Sequence, residues 1–288
     1  MTFKKIALMF ATGITVTCLS TPQASAQNEE TLLFGIVPQQ AASRLAKMWV
    51  PFINELSKET GYKIKFATMK DIPSFEQCLA QGAYDLAYMN PYHYTIFSTL
   101  TGYKAFAHQS EKKLKGIVVV RQDSAAKKLE DLDNQKIAFP SPAAFGASVL
   151  PRAEMKAAGM IIEPNYVKSH DSVYRSVIAG IFPAGGGVLR TFNNIPDDLK
   201  AQLRVIYTTK SYTPHAFAGN KALDVAKMGE IATAMLKIAK ASPELLKKIG
   251  MKGFDLASDS TWDDVRNLSL TEEQTQIVDQ GTLKCRLD

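Results

Sequence analysis

Three stretches of this chain combine residue types that can hold a small anion. In Asp85-Leu86-Ala87-Tyr88-Met89-Asn90-Pro91-Tyr92-His93-Tyr94 an apolar strand pattern runs directly into a helix start, with Asn90 suited to the cap and Pro91 to the first helical position. The first N–H groups of such a helix are unpaired and carry partial positive charge, so they accept anions, and the hydroxyls of Tyr88, Tyr92 and Tyr94 add donors around them. An aromatic helix start packed into a core is the competing reading.

The stretch Phe139 to Ser148 repeats the device: a strand, a turn braced by Pro140 and Pro142, then Ala143, Ala144, Phe145, Gly146, Ala147 and Ser148. Small residues let a ligand approach the backbone and Ser141 can donate directly, although close packing of a helix on a sheet asks for the same small residues. The third junction is Ser169-His170-Asp171-Ser172, where His170 would face the same gap and Asp171 or Ser172 would cap the helix. Arg190 follows the run Gly185-Gly186-Gly187, and its guanidinium would grip an oxyanion through two parallel donors. The glycine run has neither the Lys-Ser/Thr of a P-loop nor the order of a dinucleotide fingerprint, which leaves a flexible turn as its plain reading.

Catalytic sets are missing from the sequence. Gly-x-Ser-x-Gly, His-Glu-x-x-His and Cys-x-x-Cys do not occur, and the four histidines, His93, His108, His170 and His215, have no metal-ligand spacing. No metal, no cofactor and no enzymatic activity are expected.

The elements that must position these residues alternate. Leu32 to Val37 reads as a strand ended by Pro38, and Ala42 to Thr60 as a helix with Leu45, Trp49, Phe52, Ile53 and Leu56 on one face. A strand over 62–68, a helix over 72–81, a strand over 85–89, a helix over 92–100 and strands near 103–108 and 116–121 follow. A second set comprises a strand over 136–140, a helix over 145–158, a strand over 166–169, a helix over 172–181, and strands near Gly187 and over 205–207. From Lys221 onward the pattern is mostly helical and is expected to pack on the first set. Such order predicts an α/β fold with parallel sheets covered by helices. Two lobes, 27–120 plus 213–288 and 121–212, would be joined by crossings at Arg121-Gln122 and Tyr212-Thr213, with the ligand in the cleft between them.

Residues 1–26 have a basic start at Lys4 and Lys5, an apolar stretch and then Ala24-Ser25-Ala26, the pattern of a cleavable secretory signal, which predicts export to the periplasm. Losing Lys4 and Lys5 would take the formal charge from +6 to +4. The densest basic run is Lys112, Lys113 and Lys115, too short for a nucleic-acid footprint. A monomer is expected. Cys78 and Cys285 would be left as the only thiols, allowing one bridge or none.

Taken together, Gly35-Ile36-Val37-Pro38, the Leu45/Trp49/Pro51 helix, Asp85-Leu86-Ala87-Tyr88, the turn from Pro140 to Ser148 and Ser169-His170-Asp171-Ser172 resemble the phosphate, phosphite and phosphonate binding proteins of ABC importers, the PhnD-like family. The resemblance implies a type II periplasmic binding protein with a hinge, whose two lobes close on a small oxyanion. The closed form would then dock on a permease of the inner membrane or, in a variant of the same scheme, signal to a sensor kinase. It implies ligand contacts from Gln39, Tyr88, the segment from Ser141 to Ser148, including Ala143 and Ala144, and His170; Asn90, Tyr92 and Arg190 join them from the residue reading. Two departures from the family stand out. Ala143-Ala144-Phe145-Gly146-Ala147 replaces a hydroxyl-rich cluster, and Pro183-Ala184-Gly185-Gly186 replaces an aspartate that would accept a proton or an amine. A guest other than an aminoalkylphosphonate is therefore expected, either a more fully ionised oxyanion or another small organic anion, because no carboxylate is there to pair with an amine.

Overall fold

The computed structural model describes residues 1–2, 31–271, 275–277 and 285; the signal pattern lies outside them. The chain forms two sheets. The first contains β1 (Leu32–Ile36), β2 (Ile64–Ala67), β3 (Leu86–Met89), β4 (Lys104–Gln109), β10 (Ala216–Gly219) and β11 (Phe254–Leu256), in the order β11-β4-β10-β3-β1-β2. The second contains β5 (Leu114–Arg121), β6 (Gln135–Phe139), β7 (Ile162–Tyr166), β8 (Ala184–Val188) and β9 (Leu203–Tyr212), in the order β7-β6-β8-β5-β9.

Both sheets are mixed, which corrects the expectation of parallel ones. β1 runs parallel to β2 and β3, and β6 runs parallel to β7 and β8. β10 is antiparallel to β3 and β4, and β5 is antiparallel to β8 and β9. β11 is antiparallel to β4, and β5 and β10 are the strands that receive a chain arriving from the other sheet. The outgoing crossing also differs from expectation. β5 belongs to the second sheet, so the chain leaves the first between Gln109 and Leu114 rather than at Arg121; it returns between Tyr212 and Ala216, beside the expected point.

Helix α1 (Ala42–Thr60) buries Leu45, Trp49, Phe52, Ile53 and Leu56 on one stripe and stops at Gly61, whose φ of 72° is the left-handed conformation that glycine adopts freely. Its core is aromatic, with Trp49 against Phe34, Phe52, Tyr88 and Phe217. Helices α2 (Ile72–Ala80) and α3 (Pro91–Leu100) begin with side-chain caps from Asp71 and Asn90, each followed by a proline in the first turn. The second lobe holds α4 (Leu150–Ala157), entered through a π-helical turn at Phe145–Val149, and α5 (His170–Ile178), capped by Ser169 and not by the expected Asp171 or Ser172, which lie inside its first turn. Short helices α6 (Leu189–Asn193) and α7 (Asp197–Lys200) lead to β9. In the C-terminal part α8 (Val225–Ala241) and α9 (Pro243–Lys248) pack against α1 while β11 joins the first sheet, as the helical pattern there anticipated. Cys78 and Cys285 are joined in a disulfide.

The run Ala184 to Gly187 is not a turn but β8, buried throughout and placed between β5 and β6. Its glycines are there because neighbours already fill the space a side chain would need. A Cβ on Gly186 would lie 1.9 Å from the Ala147 carbonyl oxygen, and one on Gly187 would lie 2.3 Å from the Tyr174 hydroxyl. On the adjacent strand a Cβ on Gly116 would meet the Gly146 oxygen at 2.1 Å. The turn that enters α4 therefore rests directly on two glycine strands, and the second lobe could not keep this helix start in place with larger residues below it.

Gly186→Ala is expected to lower stability by about 1–3 kcal/mol through overpacking. Gly229→Ala, on an exposed part of α8 with nothing within 4 Å of the new methyl, should raise it by up to about 1 kcal/mol. Urea unfolding midpoints of the two variants check both signs.

Candidate functional site

The strand ends and helix starts of the two lobes meet along one seam. The Asn90 side chain caps α3 and reaches across the seam: its Oδ1 accepts from the His93 backbone N–H at 2.7 Å within the first lobe, and its Nδ2 donates to the Ala143 carbonyl of the second at 3.1 Å. At the opposite junction the His170 N–H donates to the Gln39 carbonyl at 3.0 Å, and the Ala41 N–H donates to Asp171 Oδ2 at 3.1 Å. Farther out, Arg44 Nη1 donates to the Asn194 carbonyl at 2.5 Å. Apart from the Asn90 cap on His93, each of these bonds joins a residue of the first lobe to one of the second.

A cleft of about 250 Å³ opens on this seam, next to the two crossing segments. Tyr88, His215 and Arg190 form its inner wall, Val188, Leu189, Leu114 and Pro214 its apolar sides. Gln109, Glu111, Lys112, Lys113 and Lys115 surround its mouth. Tyr88, at the end of β3, is 2% exposed and sits between Trp49 and Phe217 while stacking on the His215 ring, 5.0 Å between centroids. The Arg190 guanidinium lies over the other side of this cluster, 5.6 Å from the Tyr88 ring centre, a cation–π placement. Arg190 also donates to the Gln39 side-chain oxygen, and Gln39 Nε2 lies 3.1 Å from His215 Nε2. One chain of contacts thus runs Arg190–Gln39–His215 across the seam.

Burial and the arginine together set the protonation states. His170 is completely enclosed, with Nδ1 3.0 Å from the Thr191 hydroxyl; desolvation, followed by the Arg190 charge, pushes its pKa down to about 3. His215 is held well below the ordinary histidine value by the same two causes in the same order. Burial raises the Tyr88 hydroxyl, with Arg190 opposing. Lys112 is lowered by desolvation and then by the like charges of Arg190 and Lys252. The site is consequently a cationic cleft with one neutral imidazole, His215, and a neutral phenol on its inner wall, while neutral His170 is buried at the seam nearby.

The structure brings together Gln39, Tyr88, Asn90, His170 and Arg190 of the residues singled out from sequence. Ser141 is buried there too, its hydroxyl without a hydrogen-bond partner among the described residues, as are both amide atoms of the neighbouring-loop Gln40. Ala143 and Ala144 are core residues that help seal the seam. Two expected donors point elsewhere. The Tyr92 hydroxyl meets Thr275 at 2.9 Å and the Tyr94 hydroxyl donates to Asp259 at 2.7 Å. Ser148 accepts from Arg152 Nε at 3.1 Å on the outer side of the α4 entry, where Arg152 also binds the Pro142 carbonyl. Sequence reasoning missed His215, Gln109 and Lys112 as wall residues. The signal for Lys112 was present in the Lys112/Lys113/Lys115 run; its meaning depends on the crossing that places the run at the cleft mouth.

The fold and this interlobe cleft define a two-lobed type II periplasmic binding protein. Residues 34–262 match the family model described as an ABC transporter, phosphonate, periplasmic substrate-binding protein, and the chain belongs to that family. It is 22% identical over 228 residues to the phosphate-import protein PhnD of Mycolicibacterium smegmatis, covering 67% of each chain. Among solved structures it is similar to PhnD1 of Prochlorococcus marinus in complex with methylphosphonate, with a TM-score of 0.77 and 19% identity over 87% of this chain and 100% of that one. A binding-protein component of a phosphonate ABC transporter from Pseudomonas aeruginosa superposes with a TM-score of 0.75 and 16% identity, covering 90% of this chain and 92% of the other. No helix among the described residues is long and apolar enough to cross a membrane.

The depressed histidines make an acid-stability prediction. An unfolded histidine takes up its proton near pH 6.5, while folded His170 resists until about pH 3. Between those values the unfolded chain binds more protons, so stability falls as pH drops below about 6.5, by up to about 1.4 kcal/mol per pH unit per histidine. His170→Gln, which keeps a polar partner for Thr191 but cannot titrate, should flatten the slope of unfolding free energy between pH 6.5 and 4.5. A slope identical to the parent's would remove His170 from this account.

Proposed function

We propose that this protein is the ligand-capturing component of an ABC importer for a small oxyanion of the phosphate, phosphite or phosphonate type. The observation that carries the reading is Arg190, a guanidinium held at the lobe seam against Tyr88, with Lys112 beside it. Positive charge with few compensating acids in a partly dry cleft has a strong attraction for an anion, because the low dielectric that makes the cations costly alone also strengthens their pairing. Family membership and the ligands of the relatives, phosphate and methylphosphonate, support the same class.

The capture step needs no chemistry. A guest bridging Arg190 on one lobe and Tyr88 on the other favours the closed arrangement, since only that arrangement gives it both contacts, and closure then becomes the signal read by a permease in the inner membrane. The cross-seam bonds from Asn90, Gln39, Ala41 and Arg44 fit the closed member of that pair. The N-terminal signal pattern, together with the family, supports a periplasmic location after removal of residues 1–26. Among the described residues Glu111 is the one acidic group lining the cleft and is exposed at the mouth, so an aminoalkylphosphonate would find no carboxylate from them beside Tyr88 and Arg190 to pair with its amine.

Inorganic phosphate and methylphosphonate should each raise the unfolding temperature saturably, with one site per chain and no product. The stabilisation follows RT ln(1 + [L]/Kd), about 2.7 kcal/mol at a hundredfold excess over Kd. Arg190→Met, which keeps the stem over Tyr88, should weaken the best of these anions by about 2–5 kcal/mol, the range for losing one member of a buried charged pair. Unchanged affinity in that variant, or 2-aminoethylphosphonate as the tightest ligand in a calorimetric series, would count against the reading.

A further inference from the structure

The contacts on the inner wall of the cleft settle which way each polar group faces. A guanidinium has donors only, so the Gln39 atom reached by Arg190 is the amide oxygen. The Gln39 amide nitrogen is then turned to His215, 3.1 Å from Nε2. An amide nitrogen donates and does not accept, so His215 Nε2 is the acceptor and its ring proton sits on Nδ1. The ring is 3% exposed and stacked on Tyr88, and the Arg190 charge opposes its protonation. The wall therefore presents one fixed donor and one fixed neutral acceptor side by side, both occupied by a single carboxamide.

A carboxamide offers an acceptor oxygen and an N–H donor on one carbon. A tetrahedral oxyanion that keeps a proton offers the same pair on one phosphorus: an ionised oxygen and an O–H. Resting on the oxyanion reading above, we infer that His215 is the selectivity residue of the cleft, its Nε2 accepting a hydrogen bond from the P–OH of a proton-bearing phosphoryl anion whose ionised oxygen takes Arg190. Gln39 is the internal stand-in that the guest displaces. Sulfate, which has no proton near neutral pH, would turn an oxygen lone pair toward the Nε2 lone pair and leave a buried acceptor unsatisfied. This changes the expectation drawn from sequence. The missing aspartate removes a charged acceptor, but tertiary structure supplies a neutral one, so the guest favoured here retains a proton instead of being fully ionised.

Titration calorimetry with inorganic phosphate and with sulfate, at pH 7 and matched ionic strength, tests the inference. The parent protein should bind phosphate at least about tenfold more tightly than sulfate, the factor for one unpaired buried hydrogen-bonding group. His215→Phe keeps a ring on Tyr88 and removes the acceptor; phosphate should weaken while sulfate does not, shrinking the preference to less than about threefold. Gln39→Ala removes the stand-in without touching His215, and should bind phosphate more tightly than the parent while keeping the preference. Equal binding of phosphate and sulfate by the parent, a preference retained in His215→Phe, or weaker phosphate binding in Gln39→Ala would each overturn the role of His215 while leaving the oxyanion reading in place. Silence toward phosphate, sulfate and methylphosphonate alike would overturn both.

Discussion

The Arg190 charge is the constraint to which the other groups of the cleft are fitted. It opposes protonation of His170 and His215 and bears on the Tyr88 and Lys112 equilibria, and its own stem packs over Gly250. A cation in such a place needs something to take its donors. In this structure that role falls to a neutral amide oxygen from the opposite lobe and to the face of an aromatic ring, neither of which cancels the charge. The lobes are thereby joined by a contact that a stronger acceptor can displace.

The scaffold beneath serves to keep that arrangement in register. β8 carries Arg190 just past its end, and its glycines allow Ala147, Tyr174 and Phe139 to close over it, so that the α4 entry and the α5 start converge on the same seam. On the first lobe β3 ends at Met89 with Tyr88 wedged among Trp49, Phe217 and His215, so the phenol cannot swing away. The small residues from Ala143 to Ala147 follow from this packing. They are small because backbone presses on backbone there, and they lie in the core as the close-packing reading of that stretch anticipated.

Much of the fold was legible along the chain. The alternation of strand and helix patterns located nearly every element of both lobes, and α1 was readable down to the five residues of its buried stripe. A strand was expected near Gly187 and β8 is there, although the glycine run taken alone reads as a flexible turn because glycine carries no hydrophobic signal. β5 was placed with the first set because nothing local to an apolar strand specifies which sheet it joins. At the lobe seam, the places of Tyr88, Asn90 and His170 were legible because a strand running into a capped helix has a local signature. Tyr92 and Tyr94 share that signature, yet their hydroxyls turn to Thr275 and Asp259, contacts with residues about 165 or more positions away that no local pattern encodes.

By itself the sequence determined the α/β class, the two-lobe division, the Asn90 cap of α3 and the presence of an arginine following the second lobe's glycine run, all consequences of spacing within a few residues. Tertiary structure decided which strands pair, where the chain first crosses, that Cys78 meets Cys285, and that Gln39, Arg190 and His215 stand in one line. The physical reason is distance along the chain: caps and amphipathic stripes are closed by neighbours three or four residues away, whereas the polarity of the cleft depends on groups up to 176 residues apart, brought together only when both cores have packed.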